Sequence, residues 1–320
     1  MPFELRPAVR ENVPLLIGLA GGTGSGKTYS AFKLAKGLSG GQRFAVIDTE
    51  SGRAKAYADD FEFNHGELIA PFTPHAYSEA ITSVDALHKY PVIIVDSCSH
   101  EYAGDGGILD QQETELREMV ERAKKGGDTR SEYQLQEANK MRSWIMPKMA
   151  HKAFMTRLLQ VRAHLILCFR AEPKTEMVKE NNKTVIREKQ GLTGLRGWFP
   201  ICEKNMPYEL TAYFLLLAEK PGVPHPIKLM EKHRQFFPPD KPISEEAGIG
   251  LGAWAKGAKS EPAVSDLDVI QADIKAASTL EQLEIVLVTI KTLSNESRAM
   301  LRPIYMARKT ELTPSASSGR

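Results

Sequence analysis

The residues Gly21-Gly22-Thr23-Gly24-Ser25-Gly26-Lys27-Thr28 match the pattern G-x-x-x-x-G-K-[ST] in full. Each residue type has a task in that spacing. Glycines let the backbone curl so that several N–H groups face one anionic group. Lys27 brings a mobile positive charge to β and γ phosphates, and the Thr28 hydroxyl is a hard oxygen suited to Mg²⁺. The chemistry is the grip on a nucleoside triphosphate, with ATP and Mg²⁺ as the expected cofactors. A dinucleotide fingerprint through Gly22-Thr23-Gly24 fits less well, because the Gly-Lys-Thr ending belongs to the other pattern. A glycine-rich turn that binds nothing would not explain the flanks. An apolar run, residues 14–20 (PLLIGLA), comes before the loop, and residues 28–38 after it place Tyr29, Phe32, Leu34, Ala35 and Leu38 at helical spacing.

Three further acidic or basic positions stand at the ends of apolar runs. Asp96 closes Val92-Ile93-Ile94-Val95-Asp96-Ser97 and is the expected second metal ligand. Asp48-Thr49-Glu50 closes residues 43–48 (RFAVID). Transfer of a phosphoryl group to water needs a group that orients the water, and Glu50 is the candidate. The same carboxylates would serve equally to cap the turn that starts at Ser51-Gly52. Arg170 follows a fourth apolar run, residues 164–169 (HLILCF), and is a sensor candidate for the γ phosphate; a solvated strand end accounts for it as well. Beyond it, Lys174, Lys179, Lys183, Arg187, Lys189 and Arg196 precede Trp198 and Phe199. Cations with aromatics are the composition that grips single strands, and these are the DNA-binding candidates. Glu176, Glu180 and Glu188 interrupt the series, and a solvated hairpin with Trp198 in the core fits the same residues. Arg196 is also a candidate arginine finger.

Short, nearly continuous apolar runs separated by helical patterns fit an α/β domain with a mostly parallel central sheet flanked by helices. A fifth run occupies residues 213–218 (YFLLLA), and helices are expected over 77–89, 109–124 and 131–161, the last ended or kinked at Pro147. Residues 176–187 read as a polar hairpin turning at 180–183 and projecting from the edge of the sheet. The organisation expected is an ATPase domain over 1–238 and a flexible linker over 239–264. A small helical bundle follows over 265–312, then a disordered tail over 313–320. Thr279-Leu280-Glu281-Gln282 reads as a capping box, and Leu280, Leu283, Val286, Leu287, Ile290 and Leu293 form one apolar stripe.

The chain has 320 residues, 42% of them hydrophobic, enough for a substantial core. Its formal charge is 42 − 40 = +2, which excludes a uniformly cationic coat for nucleic acid. The charge is uneven along the chain. Residues 40–120 carry 15 acidic and 5 basic residues, and residues 148–197 carry 11 basic and 4 acidic. A basic, anion-facing segment in the second half of the main domain follows from this. Cys98, Cys168 and Cys202 stand far apart, which argues against a disulfide scaffold or zinc ribbon and suits a reducing compartment. The absence of a long apolar run or signal-peptide core leads to the expectation of a cytoplasmic protein without a membrane span.

The set Gly21–Thr28, Asp48-Thr49-Glu50 and Val95-Asp96-Ser97 resembles the RecA/RadA recombinase-like ATPases. Over residues 12–220 the chain resembles phage-encoded, AAA-family ATP-binding proteins related to short RecA-like single-strand annealing proteins. The resemblance implies a RecA-like P-loop fold, Mg²⁺-dependent ATP hydrolysis with Glu50 as general base, and a homo-oligomer working in a bacterial host cytoplasm. It implies single-stranded DNA as partner during recombination or replication. The helical C-terminal module resembles tails of other phage recombination proteins, which suggests a contact with a single-strand-binding protein. Two departures point away from strand exchange and towards binding or annealing. Arg170 stands where the family has a glutamine, and residues 107–161 lack a recognisable DNA-loop sequence. A small-molecule kinase and a non-hydrolysing, nucleotide-gated binding module are the rival expectations.

Overall fold

The computed structural model describes residues 9–180, 183–189, 197–257, 266–291 and 295–313. Two compact units divide the chain, residues 1–258 and 259–320.

The first unit opens with β1 (Leu16–Gly21), α1 (Lys27–Leu38), β2 (Phe44–Asp48), β3 (Phe63–Glu67), α2 (Pro74–Ala86) and β4 (Val92–Asp96). Four helices follow, α3 (His100–Ala103), α4 (Ile108–Lys125), α5 (Glu132–Asn139) and α6 (Ile145–Leu158). Next come β5 (His164–Pro173), β6 (Thr175–Glu180), β7 (Lys183–Glu188) and β8 (Trp198–Pro200). The unit closes with α7 (Met206–Glu209), β9 (Ala212–Leu216), β10 (Pro224–Lys228) and α8 (Glu245–Ala255). The sheet order is β10-β9-β1-β5-β4-β2-β3, with β8 pairing the far end of β5. The pairs from β9 to β3 are parallel, and β10 and β8 run antiparallel to their partners.

The period of two along a strand explains why the apolar runs are continuous. Leu15, Ile17 and Leu19 enter one core with Phe32, Phe44 and Trp254. Leu16 and Ala20, their neighbours in sequence, enter the opposite core with Tyr77, Phe154 and Phe169. A strand covered on both faces has no polar side to alternate with. The parallel arrangement puts the C-terminal ends of β1, β2, β4 and β5 side by side, so Gly21, Asp48, Asp96 and Arg170 meet at one edge.

Several expectations need correction. Residues 245–255, expected within a linker, form α8, which packs on α1. Ser244 caps it by accepting the Ala247 N–H at 3.3 Å. The close approach of the two helices needs glycine on both: a Cβ on Gly37 would strike the Glu245 carbonyl, and one on Gly248 the Leu34 carbonyl. The glycine-rich composition that reads as linker is thus a helix–helix contact. Pro147 does not break a helix; it lies in the first turn of α6, where a backbone N–H has no intrahelical partner to lose. The hairpin β6–β7 pairs Glu180 with Lys183, as the turn predicted. It springs from the end of the central strand β5 rather than from the lateral edge of the sheet. The edge strands β3 and β10 escape the sequence patterns because they are half exposed, and β10 carries Pro224 and Pro226.

The second unit contains α9 (Asp266–Ala276), α10 (Leu280–Lys291) and α11 (Asn295–Leu312). Ile270, Ile274, Leu283, Ile290, Leu301 and Tyr305 form its core. Of the expected stripe, Leu283 and Ile290 are buried, Val286 and Leu287 pack beside them, and Leu280 is 36% exposed. Leu293 lies outside the described residues. Thr279 caps α10 by accepting the Gln282 N–H at 3.2 Å, while the Gln282 side chain accepts from Ser278 instead of closing a capping box. Of the tail expected over 313–320, residues 314–320 also lie outside the described residues.

Candidate functional site

Residues 21–28 wrap the junction of β1 and α1. Gly24 and Gly26 hold φ of 75° and 80°, the left-handed region that a side chain disfavours. The loop is tied internally: the Ser25 hydroxyl donates to the Gly22 carbonyl at 2.8 Å, and Gly222 N–H donates to the Ser25 carbonyl at 2.9 Å. The Lys27 ammonium donates to the Gly21 and Gly22 carbonyls at 2.8 and 3.0 Å, which keeps it over the mouth of the loop. Gly26 is the N-cap of α1, so the helix's free N–H groups face the same space.

Thr28, in the first turn of α1, donates its hydroxyl to Asp96 Oδ2 at 2.6 Å. Asp96, on the next strand but one, is 7% exposed. Burial pushes its carboxyl up to about 6, against the Thr28 hydrogen bond that favours the charged form. A buried carboxylate and a hydroxyl in contact form a pair of hard oxygens that a divalent cation fits, because it would supply the positive charge that the carboxylate lacks.

The strand end at 48–50 separates into parts with different uses. Asp48 is buried and fully occupied: it accepts from Glu50 N–H at 2.6 Å, Ala54 N–H at 3.0 Å and His65 Nε2 at 3.1 Å. It is the turn cap. Thr49 fastens β2 to β4, accepting from Ser97 N–H at 2.9 Å and lying 2.8 Å from His100 Nδ1. Glu50 is left to face the cleft, where Arg170 Nε and Nη2 donate to its Oε1 at 3.0 and 2.8 Å and Arg53 Nη1 donates to Oε2 at 3.1 Å. Burial raises the Glu50 carboxyl, but the hydrogen bonds and charge of Arg170, followed by Arg53 and His100, outweigh it and leave the group below the ordinary carboxylate range. Burial and then the Arg170 charge hold His100 towards its neutral form.

A cleft of about 640 Å³ joins these groups. Its lining includes Gly21–Gly24, Lys27, Thr28, Glu50, Asp96 and Arg170. The structure therefore brings together every residue singled out for nucleotide, metal, catalysis and sensing that lies at the strand ends. It also adds Arg53 and Tyr57, which line the same cleft. Tyr57 packs against Phe32 at 5.3 Å and Tyr29 at 6.0 Å. Their only signal in the sequence is their distance from Glu50: a turn that Asp48 caps must return residues 53–57 to the cleft. His100 was equally hidden, as the residue that links Thr49 to the Phe72 ring, 4.9 Å away.

The basic series is less unified. Lys174 and Lys189 meet at the base of the hairpin, where Lys189 N–H donates to the Lys174 carbonyl at 2.8 Å, and both ammonium groups lie within 6 Å of the Phe199 ring, at 5.6 and 5.8 Å. Arg187 pairs with Glu176 across the strands at 3.1 Å. Lys179 is exposed farther along β6. Lys183 begins β7, its side chain being outside the described residues, as is Arg196 altogether. Trp198 is not a free stacking ring: it packs on Gly22, where a Cβ would meet it at 2.8 Å. Among the described residues no group of three or more His, Cys, Asp or Glu is placed to hold a metal ion, and no helix is long and apolar enough to cross a membrane.

Comparison with curated proteins gives no match. A family model described as an AAA domain matches residues 14–199, from just before β1 into β8, the short strand that follows the hairpin. That span covers more than half of the 320 residues and holds Lys27, Thr28, Glu50, Asp96 and Arg170. With its parallel sheet, phosphate loop and acidic strand ends, the chain belongs to the AAA domain family of P-loop NTPases.

Proposed function

We propose that the protein is a RecA-like, Mg²⁺-dependent ATPase that acts on single-stranded DNA in phage recombination, annealing or replication. The observation that carries the reading is the single cleft in which a phosphate loop, a Thr28–Asp96 oxygen pair and the Glu50 carboxylate converge. Backbone N–H groups of residues 22–26, the α1 terminus and Lys27 hold the phosphates. Thr28 and Asp96 would hold Mg²⁺, which when bound neutralises charge on the β and γ phosphates. Glu50 accepts the proton of the attacking water, and its lowered pKa keeps it ionised for that purpose at neutral pH. Arg170 and Arg53 orient the carboxylate and stand ready for the γ phosphate. Tyr57 offers a flat ring to the adenine. Lys174 and Lys189, beyond the cleft, face the DNA backbone. A homo-oligomer and a contact between the C-terminal module and a single-strand-binding protein belong to the same reading.

One observation favours a second reading, the nucleotide-gated switch that does not turn over. Glu50 is clasped by two guanidinium groups, which compete with water for its oxygens. ATP turnover measured with and without single-stranded DNA separates the two. Turnover stimulated by the strand, lost in Lys27→Ala and in Glu50→Gln while the latter still binds ATP, supports the ATPase. Binding without turnover in the native chain supports the switch.

A further inference from the structure

Beside the nucleotide cleft lies a second cavity, of about 820 Å³. Four aromatic rings, Tyr102, Phe199, Tyr208 and Tyr213, line it among aliphatic and polar side chains. Two features mark it as built for a ligand with a polar part. The Tyr213 hydroxyl, on a residue only 1% exposed, has the weakly hydrogen-bonding Cys202 thiol beside it and no oxygen or nitrogen partner. At the rim, Lys174 and Lys204 line the cavity, and Lys189 joins Lys174 over the Phe199 ring. Glu172 offsets part of this charge, 3.4 Å from Lys174.

We infer that this cavity receives a single unstacked nucleobase, with its phosphate on the lysine rim. Flat π walls suit a base, the Tyr213 hydroxyl suits an edge oxygen or nitrogen, and the ammonium groups suit the phosphate that a base in a strand always carries. The inference rests on the reading of a single strand as substrate and names where that strand is held. It also gives a route between the two sites. Ile201 lines both the cavity and the nucleotide cleft, and its N–H donates to the Arg170 carbonyl at 2.8 Å. A base that shifts residues 199–202 thereby moves the strand end that carries the Arg170 clasp on Glu50.

The test uses the full chain, saturated with Mg²⁺-ADP so that the nucleotide cleft is filled. A fluorescein-labelled oligothymidylate is titrated against the native chain, Phe199→Leu, which keeps apolar bulk but removes the ring, and Tyr208→Ala, a residue that is 66% exposed and outside the core. The expected result is at least about fivefold weaker binding in both variants. Native ADP affinity and unstimulated turnover stay unchanged, and the strand's stimulation of turnover is lost. A 5-iodouracil-substituted strand should cross-link to Tyr102, Phe199 or Tyr208. Strand binding that survives both variants, with cross-links elsewhere, overturns the cavity as the site and leaves DNA as substrate intact. If no strand binds but dTMP binds and competes for the cavity, the cavity stands as a nucleotide site while the strand reading fails. Binding of neither, or of a phosphotyrosyl peptide alone, overturns the inference.

Discussion

Replacing Asp96 with asparagine should stabilise the metal-free protein while abolishing its response to Mg²⁺-ATP, and the two effects have a common cause. Burial holds the Asp96 carboxyl at about 6 rather than 3.8, a shift of roughly 2 units at 1.36 kcal/mol each, or about 3 kcal/mol. A folded-state value above the unfolded one means that the folded chain binds the extra proton. Between those two values stability falls as pH rises, and the full cost is present above about 6. The asparagine amide brings its own penalty, about 1–3 kcal/mol for any N–H left unpaired, but that penalty does not change with pH. The decisive quantity is therefore the stability difference between Asp96→Asn and the native chain in urea, measured in EDTA at pH 8 and pH 5. About half of the 3 kcal/mol should vanish at the lower pH. With ligand at 100 times its dissociation constant, Mg²⁺-ATP should add about 2.7 kcal/mol to the native chain and little to the variant. A difference that is the same at both pH values, or a variant that responds to Mg²⁺-ATP as the native chain does, would refute the argument.

Other predictions follow from the same contacts. Arg170→Ala removes the largest influence that lowers Glu50; since Glu50 must be ionised to act, the acid limb of the pH–rate profile should move to higher pH, and a profile with an unmoved limb would place Arg170 outside the control of Glu50. Tyr57→Ala should weaken ATP binding by about tenfold through lost stacking, with Tyr57→Phe near native; equal affinities in all three would remove the ring from the base site. Gly37→Ala should cost about 1–3 kcal/mol or more, because its Cβ would meet the Glu245 carbonyl, and thermal unfolding should report a fall of several degrees.

The sequence made the chemistry legible where one short pattern contains it. Gly21–Thr28 announces its loop, and the parallel sheet follows from runs such as residues 92–96 whose every side chain is buried. Glu50 was half legible, since nothing in Asp48-Thr49-Glu50 tells which carboxylate caps the turn and which faces the cleft. Register decides it: the Asp48 side chain is consumed by three donors, and Glu50 is the remainder. The Arg170–Glu50 pair spans 120 positions and is visible only once β5 lies beside β4 and β1. Residues 245–255 show the opposite failure. Their glycines look like a linker because composition records the missing side chains but not the carbonyls of α1 that occupy their place.

The central claim is that this cleft hydrolyses ATP and that a single strand governs the rate. The most direct measurement is phosphate release from Mg²⁺-ATP by the native chain and by Glu50→Gln, each with and without oligothymidylate. The account predicts release by the native chain that rises with the strand, and release by Glu50→Gln reduced at least about a hundredfold with ATP still bound. Equal turnover by the two proteins, or none by the native chain under either condition, would contradict it.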